Sequence, residues 1–120
     1  MAAATFDLTG DRRIEQGATY LRTFTRFESD GVTPVDLTGV KARMQIRQAL
    51  RTSRPMLDAT TENGMLVIGG PDGTVTLQFS AETTDKLLTD GVYDLELVHP
   101  SGFVERILEG EVQVSLNVTR

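Results

Sequence analysis

The chain has 120 residues, a formal net charge of −5, no cysteine and one histidine, His99. Thiolate catalysis, disulfides, cysteine-ligated zinc and multi-histidine metal sites within one chain are therefore excluded, and the acidic balance argues against duplex nucleic acid as the main partner. No apolar run reaches the length of a membrane span, and the N-terminus lacks the basic and apolar regions of a signal peptide.

In chain order, residues 1–4 are small and apolar and are expected to be flexible. Thr5 to Leu8 reads as a short strand, and Asp7-Leu8-Thr9-Gly10 then supplies turn chemistry that recurs at Asp36-Leu37-Thr38-Gly39. Four residues are too few for a duplication, so a shared turn type is the reading. Thr19 to Glu28 is rich in aromatic and β-branched residues and predicts a strand. Tyr20, Arg22, Phe24 and Arg26 share one of its faces, and neither face is cleanly apolar. Two readings stay open for Arg22 and Arg26: solvated beside the aromatic rings, or facing a partner.

Val40 to Ala49 alternates well, with Ala42, Met44 and Ile46 on a buried face and Lys41, Arg43, Gln45 and Arg47 on a basic one. Five of the twelve Lys and Arg residues fall between positions 41 and 54, and Arg51 to Pro55 predicts a mobile loop. Short strands follow at 56–60 and 65–68, separated by Asn63-Gly64, a tight-turn signal. Thr74 to Phe79 alternates again. Ser80 before an acidic turn caps one short helix near 81–89, with Leu87 and Leu88 as its packing face. Gly91 to Val118 predicts a long antiparallel hairpin turning at Pro100-Ser101-Gly102, with Gly110 marking a bulge. Seven to nine short strands with regular turn signals and one helix imply a mainly β, single-domain antiparallel sandwich spanning 1–120, or a small barrel.

Several segments resemble small structural proteins of tailed bacteriophages. They are Asp-Leu-Thr-Gly-Val-Lys-Ala-Arg-Met-Gln-Ile-Arg (36–47), Leu-Asp-Ala-Thr-Thr-Glu-Asn-Gly (57–64), Gly-Val-Tyr-Asp-Leu-Glu-Leu (91–97) and Leu-Glu-Gly-Glu-Val-Gln-Val-Ser (108–115), with Ile-Glu-Gln-Gly-Ala-Thr (14–19) in the same series. They are similar to immunoglobulin-like β-sandwich domains of phage head, neck and tail genes, and to the N-terminal domain of siphophage upper baseplate proteins. The resemblance covers about residues 14–120 and rests on turns and strands. It implies an immunoglobulin-like fold and a non-enzymatic virion component, assembled in the bacterial cytoplasm. Decoration, neck or tail adaptor, and fibre attachment are the roles it leaves open.

Sharper chemical readings lose to bland ones. His99 at a hairpin tip reads as a solvent-exposed turn histidine, and the Ser and Thr residues lack a nucleophile-elbow context, which with one His argues against a catalytic triad. Asp30, Asp72 and Asp90 each precede glycine, which signals turns, and no calcium-loop pattern surrounds them. No catalytic, cofactor or metal residue is assigned. The alternative function is a carbohydrate-binding sandwich, with Tyr20, Phe24, Phe27 and Phe103 as the aromatic candidates. The expected contact residues are Lys41, Arg43, Arg47 and Arg51 on the basic segment. Their acidic counterparts are Asp94, Glu96, Glu105 and Glu109 on the hairpin. One basic and one acidic region suit head-to-tail association into a homo-oligomer or with other virion proteins, without nucleic acid or membrane.

Overall fold

The computed structural model describes residues 3–119. Its strands are β1 (Ala4–Thr5), β2 (Ile14–Glu15), β3 (Tyr20–Thr25), β4 (Lys41–Arg47), β5 (Leu57–Thr60), β6 (Leu66–Ile68), β7 (Thr74–Phe79), β8 (Gly91–Val98), β9 (Val104–Val112) and β10 (Val114–Ser115). One α-helix, α1 (Ala81–Asp85), joins β7 to β8. Ten strands exceed the expected seven to nine because β1, β2 and β10 are two-residue ladders too short to show a period.

Two sheets carry the fold. One has the order β1-β9-β8-β4-β5, the other β3-β7-β6, and β2 with β10 forms a small parallel pair beside them. The chain exchanges sheets between β3 and β4, between β5 and β6, and through α1. This distribution of β3, β7 and β6 against β4, β8 and β9 is that of an immunoglobulin-like sandwich. The mainly β architecture expected from alternation and turn spacing is thus the observed one.

The core follows directly from the period of two. Ala42, Met44 and Ile46 from β4, and Tyr93, Leu95 and Leu97 from β8, face Val75, Leu77 and Phe79 from β7. Each fully buried Leu or Phe here contributes about 1.5–3 kcal/mol through area removed from water. Tyr93 stands two residues before Leu95, the place where antibody domains put a disulfide cysteine. Its hydroxyl donates to the Phe6 carbonyl at 2.6 Å, tying the first strand across the sheet. Burial pushes the Tyr93 phenol up, reinforced by Tyr20 and Asp7.

Several local expectations need correction. The bulge in the hairpin lies between Leu95 and Glu96, opposite Ile107, and Gly110 is in regular register with Tyr93. Gly110 is small for a different reason: a Cβ there would lie 2.5 Å from the Phe6 carbonyl oxygen. Residues 1–4 were expected to be loose, yet Ala4 pairs with Leu108; Met1 and Ala2 lie outside the described residues. Asn63-Gly64 does not close a hairpin, because β5 and β6 belong to different sheets. The Asn63 side-chain oxygen instead accepts from the N–H groups of Thr60 and Met65 at 3.0 Å each. The two Asp-Leu-Thr-Gly segments do not share a turn: the Val40 N–H donates to the Leu37 carbonyl, so Gly39 lies inside that turn, whereas the Leu8 carbonyl accepts from the Gln113 N–H and the first turn runs from Thr9 to Arg12. What they have in common is a buried leucine and a glycine at positive φ.

The helix ends at Asp85 rather than near 89, so Leu87 is buried while Leu88 is exposed. Its start is as expected: the Ser80 Oγ accepts from the Thr83 N–H at 3.1 Å. Ser80→Ala removes that cap and is expected to lower stability by about 1 kcal/mol. Urea unfolding checks this as a shift in midpoint at constant slope.

Candidate interaction surface

The outward positions of the two sheets differ sharply in chemistry. On the three-stranded sheet Leu21, Thr23, Thr25, Thr76, Gln78 and Val67 are all uncharged. Charge concentrates on the five-stranded sheet, where the expected contact residues mostly lie. Lys41, Arg43 and Arg47 project outward from β4, Asp94 and Glu96 from β8, and Glu109 from β9. Arg51 is exposed on the loop after β4.

The basic and acidic segments are therefore not separate poles. β4 and β8 are hydrogen-bonded neighbours, and Arg43 stands directly opposite Glu96. Arg43 Nε donates to Glu96 Oε1 at 2.7 Å. Glu96 is in turn opposite Arg106, whose Nη1 donates to Glu109 Oε1 at 3.2 Å and whose Nε lies 3.8 Å from Asp94 Oδ2. One row across the sheet reads Arg43, Glu96, Arg106; the next reads Asp58, Gln45, Asp94, Glu109. Exposed pairs of this kind contribute roughly 0–1 kcal/mol each, so the rows define a charge pattern more than they stabilise the fold. Burial and the neighbouring Glu96 push the Asp94 carboxyl up, against the pull of Arg106.

Arg47 has a structural task. Its guanidinium donates to the carbonyls of Thr52 and Ser53 at 2.6 and 2.8 Å and to Gln45 Oε1 at 2.6 Å. This holds the 48–54 loop at the rim of a shallow depression of about 630 Å³ that includes Leu50, Asp94, Arg106 and Glu109. Leu50 is 85% exposed there. Arg106 was not among the expected contact residues. The signal that would find it is cross-strand register, which the bulge hides from simple counting.

Glu105 does not belong to this surface. The bulge at Ile107 leaves it opposite the buried Leu97, on the inner side of the sheet. Its Oε2 accepts from Arg26 Nη2 at 2.9 Å, and its Oε1 lies 2.8 Å from His99 Nε2. Arg26 comes from the end of β3, so the carboxylate bridges the two sheets. His99 is accordingly no free turn residue: it is half-buried, paired with Glu105 and tilted against the Phe103 ring at 5.7 Å.

The other candidates resolve as turns or core. The Thr33 hydroxyl and the N–H groups of Thr33 and Val32 hold the Asp30 carboxyl down at about 2. Asp90 accepts from the Val114 N–H at 2.8 Å. Among the described residues no three His, Asp or Glu side chains converge as metal ligands. Tyr20 is buried, and Phe24 packs edge-on against Phe6 at 5.1 Å, which leaves Phe27 and Phe103 as the exposed members of the aromatic set.

The residues thus define an immunoglobulin-like β-sandwich with one densely charged sheet face. No family model matches the chain, and no curated protein does. Among solved structures, it is similar to murine CRIg at 12% identity and a TM-score of 0.38, over 94% of this chain and 92% of that one. It is also similar to the extracellular domains 3–5 of Drosophila OTK at 11% identity and a TM-score of 0.34, over 93% of this chain and 32% of that one. Likenesses this distant carry no argument about function.

Proposed function

We propose that the chain is a non-enzymatic assembly protein of a tailed-phage particle, docking neighbouring subunits or further copies of itself through the five-stranded sheet. The observation that carries this reading is the charge pattern on that sheet, with rows of alternating and of acidic side chains side by side. Such a pattern steers encounter and fixes register between partners more than it adds affinity. The virion setting rests on the resemblance of the 36–47, 57–64, 91–97 and 108–115 segments. A rigid sandwich displaying an ordered charged face needs no moving part for this task.

Lys41 and Arg51 allow a clean test, since both are exposed and neither forms an ion pair among the described residues. Lys41→Glu/Arg51→Glu is expected to leave thermal unfolding unchanged and to weaken association about tenfold or more in analytical ultracentrifugation. Lys86→Glu, outside the sheet, serves as the control. Equal association of the wild type and the double variant overturns the surface assignment, and a wild type that stays monomeric at every concentration overturns the homo-oligomer. Mass spectrometry of purified particles tests the setting, because a virion component is present there at fixed copy number. Its absence sinks that part.

A further inference from the structure

Each of the two main sheets ends on two edge strands, and an edge is a row of unpaired N–H and C=O groups that invites another strand. Three of these edges are guarded by length or charge. β1 has two residues and β6 three, while β5 has four and carries the exposed Asp58 on its outward side. β3 is the exception. It has six residues, no proline and an unbroken register with β7, and its outward side chains, Leu21, Thr23 and Thr25, are exposed and uncharged.

The ladder fixes which backbone groups are free. The Arg26 N–H donates to the Gly73 carbonyl at 2.8 Å, and in an antiparallel pair the bonded residues alternate. Phe24 and Arg22, opposite Val75 and Leu77, therefore direct their backbone groups to β7. The N–H and C=O groups of Leu21, Thr23 and Thr25 point the other way, where no described strand pairs with them.

A second copy of β3 fits this edge. In an antiparallel pairing about a two-fold axis at Thr23, Thr23 meets its own counterpart and each Leu21 meets the other copy's Thr25. Thr–Thr pairs directly across two strands are stabilising. Arg22 then stands opposite the other copy's Phe24, so the two guanidiniums do not face each other. The net charge of −5 opposes contact between copies in general, but Leu21, Thr23, Thr25, Thr76, Gln78 and Val67 place no charge on this face. An isologous contact brings a patch against itself, which a charged patch resists and an uncharged one does not.

We propose that two copies of the chain pair through β3, antiparallel about Thr23, and join their three-stranded sheets into one sheet of six strands. This contact lies on the opposite sheet from the charged rows, so it goes beyond the docking proposed for that face and is tested separately from it.

The chain has no cysteine, so single introduced thiols report the register by disulfide trapping. Directly paired residues have Cα atoms about 5.5 Å apart, within the roughly 4.4–6.8 Å span of disulfides, whereas the two copies of Thr25 would be offset by about 14 Å. Under mild oxidation Thr23→Cys is expected to form a covalent dimer about tenfold faster than a chance-collision control, because pairing raises the effective thiol concentration. Val67→Cys is that control, exposed on the same face at the β6 edge. Leu21→Cys and Thr25→Cys are each expected to match the control when alone and to cross-link readily when mixed. The Thr23→Cys dimer is also expected to persist in the Lys41→Glu/Arg51→Glu background. A Thr23→Cys rate equal to that of Val67→Cys overturns the proposal and leaves the edge to a strand of another protein. Trapping of Leu21→Cys or Thr25→Cys alone as readily as mixed overturns the two-fold register. Loss of the Thr23→Cys dimer with Lys41→Glu/Arg51→Glu overturns the proposal by moving the contact to the charged sheet.

Discussion

Gly110→Ala is expected to destabilise the protein by about 2–3 kcal/mol, the upper part of the range of about 1–3 kcal/mol for a side chain forced into a filled space. An added Cβ would lie 2.5 Å from the Phe6 oxygen, 2.8 Å from Asp7 Oδ1 and 2.9 Å from the Phe6 carbonyl carbon. The atoms it meets are mainly backbone and have little room to yield. The Phe6 oxygen is also the acceptor for the Tyr93 hydroxyl, and the Phe6 N–H donates to Glu109 O at 2.8 Å. Pushing Phe6 outward therefore strains a ladder bond and a buried tyrosine bond together. Gly31→Ala is the comparison, because nothing lies within 4 Å of its Cβ position and only its φ of +72° opposes a side chain. That backbone term alone costs about 1 kcal/mol. Urea unfolding of both variants separates crowding from backbone strain. A Gly110→Ala loss no larger than that of Gly31→Ala would show that the first strand does not hold its close approach in solution.

The reason Gly110 was misread as a bulge shows where sequence reasoning runs out. Alternation finds β4, β7 and β8 because each has one wet and one dry face, and their inward residues are the observed core. It fails on β9, where an extra residue at Ile107 reverses the parity halfway along the strand. Before the bulge Val104 and Arg106 face out; after it Leu108 and Val112 face in. Counting back in steps of two from Val112 thus misplaces Glu105, and counting forward from Val104 misplaces Leu108. A glycine in a strand signals either a bulge or a close backbone approach, and only the position of Phe6 decides between them. The same holds for the charged segments. Their composition was legible, but that β4 and β8 are neighbours depends on sheet order, which no local pattern encodes. Arg22 and Arg26 looked alike at i and i+4 of one strand. Tertiary structure gives Arg26 a carboxylate and leaves Arg22 with none among the described residues.

Glu105→Gln is expected to cost about 2–3 kcal/mol, more than any exposed pair on the charged sheet face. The difference is one of environment. The Glu105 side chain is 23% exposed, and one carboxylate serves two donors from separate parts of the chain, Arg26 at 2.9 Å and His99 at 2.8 Å. Removing its charge leaves a half-buried guanidinium without its ion-pair partner at the seam between the sheets. Arg43→Met, which breaks the more exposed 2.7 Å pair with Glu96, is expected to cost under about 1 kcal/mol. A shorter ion pair is thus expected to matter less than a longer one, because the Arg43 side chain is 53% exposed and water solvates it once its partner is lost, whereas Arg26 is 26% exposed. Removing Arg26 with Glu105 separates attraction from desolvation. If the double variant Arg26→Met/Glu105→Gln recovers stability relative to Glu105→Gln alone, the cost lies in the stranded cation, as partial burial requires. Equal losses for Glu105→Gln and Arg43→Met would mean that water reaches the seam as freely as the outer face, and Glu105 would then not couple the two sheets.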